Sequence, residues 1–542
     1  MKNLFHFIVS LFVCSYGLTQ DLEWAKNIGG SGDDRCFDFT RDAQGHIYIT
    51  GGFNNSVNFN PGGTPFLLNA ATIDNSDIYI AKYDAASNLL WARSLGNSEW
   101  EMGLAIETDS SNNVYVIGNY RGYLDFDPGE DIAALNASIM SYFLAKYDSN
   151  GSFLWVRDIG NDGNDYLTLH QSKLFIDKNN QAYTYINQND TLKKFNSEGQ
   201  TIWQKQLSGA PEMGAKQHFY FVKGFKSATS NSTNFIQQDS LFLQKVDTNG
   251  NQVFSNLFGT TNNGSIGGYL QYDENGNVFL SGQFWGDFTF MGLTDTITIS
   301  NHDLGSGNVP IKKEFIAKID TLGFVKWVHF FNGASPHPYI IRTNANGDIF
   351  TLGQTNGATH FDWSSSATIA TSWDHYIAKY DSSFHFQACS IFLGGSGNDY
   401  TGNFNIYGDT ALICGHFFNT IDLDLTNSSF NLSAAPPEHI FMAKYANFDI
   451  VANSASINLP QETFNQIQVY PNPSSGIISI HMVDISPVSI LTVYDVFGKQ
   501  LLNKTLIDKD FEINLSNFPN GLYFLNFIQN DELRSIQLIK NE

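Results

Sequence analysis

Cysteine is scarce in this chain, four residues in 542, and those beyond the first twenty positions are Cys36, Cys389 and Cys414. So thin and odd a set is no disulfide framework and holds no paired metal knuckle. Cys389 and Cys414 fall on neighbouring strands of the last two repeats described below, and either pair or stay as two buried thiols. Basic charge is short as well: 30 Lys and Arg stand against 53 Asp and Glu. The net charge of −23 repels nucleic acid and anionic membrane surfaces, which makes both poor partners. Long apolar runs are missing except at residues 4–13, a stretch too short to span a bilayer. There is no G-x-S-x-G elbow, H-E-x-x-H helix or phosphate loop, and the 13 histidines lack metal-ligand spacing. These absences lean away from an enzyme.

Glycine (46), phenylalanine (45) and tyrosine (24) are abundant, a mix that suits β-structure with many turns. The length exceeds the roughly 250–300 residues at which a single core stops growing, so repeats or several domains are expected. Lys2, the apolar run after it and the small residues Ser15, Gly17 and Thr19 read as a signal peptide over residues 1–19.

A lysine and an aromatic residue then recur nine positions apart: Lys82/Trp91, Lys146/Trp155, Lys194/Trp203, Lys245/Phe254 and Lys318/Trp327. Lys379/Ala388 keeps the offset without the ring. A turn such as DSNG (148–151) lies between the two members and suits a type I turn whose glycine is left-handed. Upstream, GLAIETD (103–109) and NVYVIGNY (113–120) supply two more strands, so each unit is an antiparallel meander a, b, c, d with a long b–c loop. Successive lysines are 48 to 73 residues apart, too close for tandem immunoglobulin-like sandwiches of roughly 100 residues. Trp24 at the start and Lys444 at the end are each unpaired, and together they complete a seventh unit. The expected fold is therefore an all-β, seven-bladed β-propeller over 20–446, closed by its N-terminal strand. The lysines, in strict register, read as structural, with an aliphatic stem against the next blade and the amine pointing outward.

The pattern G-I-x-x-D-x-x-G-N-V-Y-V-x-G followed by F-x-A-K-x-D-x-x-G-x-x-x-W resembles the seven-bladed propeller repeat of secreted bacterial proteins, over residues 22–446. After a polar linker (447–463), residues 464–542 carry VYPNPSSGIISI, LTVYDVFGKQLL and INLSNFPNGLYFLNF. Glycines at turns and alternating runs give about six or seven short strands. These marks are similar to the type IX secretion system sorting domain of Bacteroidetes-type bacteria. The residues that carry the likeness are Tyr470, Pro471, Asn472, Pro473, Gly476, Tyr494, Asp495, Gly498, Lys499, Gly521 and Tyr523. The resemblance implies a small immunoglobulin-like β-sandwich, recognition by the outer-membrane translocon, and a protein that passes the periplasm to be secreted or held at the cell surface.

Four tryptophans fall outside the repeat register: Trp100, Trp285, Trp363 and Trp373. All lie in b–c loops or d–a connections, which open on one face of a meander, so they either bind a ligand or pack their loops. Asp125, Asp127 and Asp131 cluster hard oxygen donors in one such loop, either a calcium site or solvated turn acids. No other cofactor is suggested. The leading expectation is a secreted or surface-displayed binding protein for a glycan or protein ligand. The alternative is a polysaccharide- or peptide-degrading enzyme acting through the same face.

Overall fold

The computed structural model describes residues 21–541 except 74, 162–171, 187–189, 208, 215–216, 226–237, 274, 285, 293–295, 300–312, 334–336, 356–357, 361–367, 370–373, 393–398, 425–429, 435–437, 449–466, 472–473, 483–488, 496–499, 507–508 and 530–531. Among them every regular element is a strand. The chain divides into two compact units, with the boundary after Asn453.

In the first unit, small antiparallel sheets recur in the order a, b, c, d. One is Asp34–Arg41, Ile47–Phe53, Asp77–Tyr83 and Leu89–Leu95; the next is Met102–Thr108, Val114–Asp125, Ala134–Tyr147 and Phe153–Asn161. Lys173–Ile176, Ala182–Ile186, Thr191–Phe195 and Thr201–Gln206 follow the same order, as do His337–Thr343, Ile349–Thr355, Asp374–Tyr380 and Phe386–Phe392. Between them lies a larger sheet. Its strand Gln252–Tyr272 pairs first with Gln238–Asp247 as a d strand, then with Val278–Phe284 as the a strand of the following repeat. The backbone thus stays extended from one repeat into the next.

The two ends of the repeat region meet. Asp21–Gly30 pairs antiparallel with His439–Ala446, and Trp24 faces Lys444 in the same cross-strand register as Lys82 and Trp91. Lys146/Trp155, Lys194/Trp203, Lys245/Phe254, Lys318/Trp327 and Lys379/Ala388 are likewise direct partners. The nine-residue offset thus measures one hairpin. In each of the complete c–d hairpins a bulge directly follows the lysine, for example between Lys146 and Tyr147.

The turns share one mechanism. Asp148 Oδ1 accepts the amides of Asn150 (2.8 Å) and Ser152 (2.9 Å), and Gly151 takes φ +78°. Asp84, Asn196, Asp247, Asp320 and Asp381 close their turns in the same way. Phe384 stands where the others have a small residue, at φ +67°, and stacks on Tyr380 with centroids 4.0 Å apart.

Neighbouring repeats are joined through these turns. Trp155 Nε1 donates to Ser197 O of the next c–d turn (3.0 Å), and the indole lies against Gly199. Trp91 repeats this with Ser149 O (3.1 Å) and Gly151, and Trp203 with Thr248 O (3.3 Å). Trp24 donates to Ala85 O (3.3 Å), so the strand at the chain start docks on the first complete repeat in the same manner.

The lysine amines depart from expectation. Lys82, Lys146 and Lys194 are buried rather than pointing outward. Each faces an aromatic ring on strand b: Lys82 opposite Tyr48, Lys146 opposite Tyr115, Lys194 opposite Tyr183. The ammonium groups sit 4.6–5.1 Å from those ring centroids, a cation–π contact strengthened by burial. Lys82 and Lys194 also donate to turn carbonyls of the next repeat, and Lys146 reaches Asp109 at 3.2 Å. Opposite Lys444 the ring is replaced by Leu412, and its amine bonds Glu23 instead.

Among the described residues the second unit has seven strands in two antiparallel sheets, Ile467–Tyr470 with Ile477–Met482 and Asp510–Asn514, and Gln500–Leu506 with Ser489–Asp495, Gly521–Gln529 and Glu532–Lys540. Ile478, Ile480 and Ile513 from one sheet share a core with Leu491, Val493, Leu525 and Leu538 from the other. Among the described residues no helix is long and apolar enough to cross a membrane, which says nothing of a β-barrel.

Candidate binding face

Residues from two consecutive d–a connections and the b–c loop between them adjoin at Trp100. A small recess of about 10 Å³, room for about one water molecule, is lined by Asp33 from the first d–a connection, Arg35 in strand a, Gly52 and Asn54 at the end of strand b, Ser76 before strand c, and Trp100 with Met102 from the next repeat. Trp100 is 41% exposed, so its ring is held at the rim rather than in a core. Arg35 bonds Glu438 and stands 3.8 Å from Asp33, which leaves a guanidinium between two carboxylates at the floor.

Beside this recess lie buried acids. Asp34 and Glu101 are fully buried, and burial pushes both carboxyls up to about 8 despite amide donors from Gly30 and Asn97. Asp77 is raised to about 6 for the same reason, against the Ala71 amide. Asp34 Oδ1, Asp77 Oδ1 and Glu101 Oε1 have no partner. A proton on such a carboxyl removes the charge that desolvation penalises most. Asp34 begins strand a of one repeat and Glu101 immediately precedes strand a of the next, so both stand where the chain turns into the sheet.

A second polar group runs along the a strands. Asp38 accepts from the Ile106 amide (3.0 Å) and Asn403 Nδ2 (2.7 Å). Asn403 and Asn405 in turn accept from the Arg342 guanidinium, whose third side-chain acceptor is Gln271. Glu107 accepts from Thr40 at 2.9 Å, and Lys173 pairs with Glu212 at 2.7 Å. Asp38 and Glu107 retain some accessible surface but are walled in by neighbouring strands. Desolvation therefore dominates, raising Asp38 to about 6 and Glu107, with Asp38 beside it, to about 8.

Of the four tryptophans named from sequence, Trp100 is in this recess; Trp285, Trp363 and Trp373 lie outside the described residues. Asp125, Asp127 and Asp131 share a b–c loop, but the oxygens of the first two serve the loop itself. Asp125 Oδ1 accepts the amides of Asp127 (3.1 Å) and Ala133 (2.9 Å), and Asp127 Oδ1 accepts that of Gly129 (2.7 Å). Asn58 and Asp422 make the equivalent pair of bonds in two other repeats. A neutral amide does the same work as the carboxylate, so the device closes hairpins. Among the described residues no group of three or more His, Cys, Asp or Glu is poised for a metal ion. Arg35, Asn54, Ser76 and Glu101 were not signalled by any motif. The residues of the polar group on the a strands had a faint signal, a polar side chain alternating with apolar ones, as in CFDFTR (36–41) and YIIRTN (339–344).

In the second unit, Gly521 begins a strand, Asp495 faces Tyr523, and the Tyr523 hydroxyl donates to Pro519 O. Gly476 has φ +129° with Ser516 pressed against it, and the Tyr470–Pro471 bond is cis. Asn472, Pro473, Gly498 and Lys499 lie outside the described residues.

Residues 468–541 match the secretion system C-terminal sorting domain. The last unit is thus an export address, and a sorting domain of this kind places the protein on the route to the cell surface or the medium. The sorting domain says nothing of the repeats that precede it. Over 263 residues the chain is 26% identical to an uncharacterized WD repeat-containing protein of Acanthamoeba polyphaga mimivirus, covering 45% of this chain and 16% of that protein. The chain thus spans about 16% of the length of that curated relative. Among solved structures, virginiamycin B lyase of Staphylococcus aureus covers 78% of this chain and 98% of its own at 10% identity and a TM-score of 0.39. A fungal alcohol oxidase with bound copper covers 96% and 100% at 10% identity and a TM-score of 0.38. A protein of unknown function from Bacteroides caccae covers 54% and 81% at 11% identity and a TM-score of 0.29. At these scores no likeness bears on what this chain binds.

Proposed function

We propose that this protein is an exported binding protein. Its repeats, residues 20–446, are the seven blades of a β-propeller closed by the N-terminal strand, after a signal peptide over 1–19. Residues 464–542, beyond the linker 447–463, are an immunoglobulin-like sandwich engaged by the type IX translocon. The ligand, a glycan or a protein, is taken at the face formed by b–c loops and d–a connections.

One observation carries this reading: an exposed indole, Trp100, held at the rim of a recess with Asp33, Arg35, Asn54 and Ser76 beside it. A flat apolar ring with donors and acceptors around it suits the mixed faces of a sugar or a polar peptide side chain. The recess itself has room for about one water molecule, far below the roughly 300–1,000 Å³ that houses a drug-sized ligand, so a ligand lies across the exposed ring rather than inside a pocket. The enzyme reading gains nothing from the raised carboxyls of Asp34 and Glu101, because both are fully buried and offer no proton to a substrate. Calcium has no task that Asn58 does not already perform without charge in its own loop. A glycan array run with the repeat region and its Trp100→Ala variant tests the proposal. Binding that survives the substitution unchanged would remove Trp100 from the site.

A further inference from the structure

Cys36 and Cys414 are 378 residues apart in sequence, yet their sulfurs stand 3.0 Å from each other. Carbon atoms in ordinary contact rest roughly 3.5–4.0 Å apart, and sulfur is larger, so this pair is already inside nonbonded distance. About one ångström of travel would reach a disulfide bond of about 2.05 Å.

The placement is specific. Cys36 lies on strand a of the first complete repeat, and Cys414 on strand b of the last. A bulge in strand a falls between Cys36 and Asp38, and the strand facing Cys414 is bulged between Thr401 and Asn403. Bulges re-aim side chains, and these two occur where the first and last repeats adjoin. Both sulfurs are enclosed in a core with Ile28, Ile440 and Met442. That is the seam where Asp21–Gly30 pairs with His439–Ala446. Among the described residues no third ligand makes the pair a metal site. Cys389, the partner considered for Cys414 from sequence, is on strand d of the preceding repeat.

We propose that Cys36 and Cys414 form a disulfide in the exported protein, a covalent clasp across the seam between the first and last repeats. The oxidant is a protein or small-molecule disulfide of the oxidising compartments that an exported chain meets. The Cys36 thiolate attacks one sulfur of that disulfide and releases the other as a thiolate. The Cys414 thiolate then displaces the bound sulfur from Cys36. One disulfide is made, one is reduced to two thiols, and the two cysteine protons end on the two thiols released. Burial pushes the Cys414 thiol well up, so the exchange belongs to the stage before the seam closes. Once it is closed, the same burial keeps reductants out. The clasp complements the strand pairing: hydrogen bonds align the ends, and the covalent bond prevents them from separating.

The test uses the full chain, refolded from denaturant in a glutathione redox buffer and therefore independent of the export assignment. It is then alkylated in denaturant without reductant, digested and mapped by mass spectrometry. The expected result is a peptide containing Cys36 joined to one containing Cys414, with Cys389 alkylated. Alkylation of both Cys36 and Cys414, or a link from either to Cys389, overturns the proposal. A melting temperature several degrees lower after refolding in reductant than after refolding in the redox buffer, with no such difference in the Cys36→Ala/Cys414→Ala variant, gives the stability readout. Should that variant not fold, the peptide map of the unaltered chain still decides.

Discussion

Replacing Gly199 with alanine separates the two demands that a repeat turn makes on its glycine. The first demand is conformational: Gly199 has φ +76°, and a left-handed L-residue costs roughly 1–2 kcal/mol. The second is steric, since a Cβ at Gly199 would meet Trp155 at 2.8–3.0 Å. The indole is tied to Ser197 O and faces Tyr115 edge-on, so it cannot withdraw without loss. Overpacking of this kind adds about 1–3 kcal/mol, for a total of about 2–5 kcal/mol. Gly408 supplies the control, with φ +65° and nothing within 4 Å of the place a methyl group would take, so alanine there meets only the first demand. Urea unfolding followed by tryptophan fluorescence, which reports the repeats because all nine tryptophans precede the sorting domain, gives both values. Equal losses at the two positions would refute the claim that the tryptophan of one repeat is seated on the turn of the next.

Other consequences follow from the buried acids, the loops and the address. Asp34, Glu101 and Glu107 have folded values near 8 against ordinary carboxyl values near 4, so their contribution is full below about pH 4 and lost as pH rises through about 8. The melting temperature should therefore fall between about pH 5 and about pH 9, and Glu101→Gln should flatten that slope; a flat profile in the unaltered chain contradicts the burial argument. Asp125→Asn should keep the loop intact, because Asn58 does the same work elsewhere, whereas Asp125→Ala should cost about 1–3 kcal/mol in thermal or urea unfolding with or without a chelator. Equal loss in both variants, restored by calcium, would reinstate a metal at that loop. Removing residues 464–542 should leave the protein unexported with the repeat transition unchanged in calorimetry, and normal export of the shortened chain would contradict the address.

The repeat was legible in sequence because one hairpin has a constant length. The offset from Lys82 to Trp91 is fixed by a turn closed on Asp84, and it survives even where Ala388 has replaced the ring. The pairing of the two ends was legible for the same reason, since Trp24 and Lys444 were two halves of one pair. The surroundings of the lysine amine were not, although Tyr48, Tyr115 and Tyr183 stand in the b-strand pattern. Linking them to a lysine on strand c requires the b–c register, which the variable loop hides. The polar chain from Asp38 through Asn403 to Arg342 was less visible still: each a strand contributes one or two polar residues, and their meaning arises only when strands from opposite ends of the sequence meet. The recess at Trp100 shows the limit most clearly. The tryptophan announced itself by falling out of register, while Arg35, at the start of strand a, and Asn54 and Ser76, at the two ends of one b–c loop, are ordinary residues that only the fold gathers.

The pairing of the two ends of the repeat region is best tested by hydrogen exchange in a chain lacking residues 21–30. With that strand gone, His439–Ala446 becomes a sheet edge, so its amides should exchange markedly faster while those of Ala134–Tyr147, an interior strand with both partners intact, keep their protection. Unchanged protection across His439–Ala446 would mean that the N-terminal strand does not complete the last repeat.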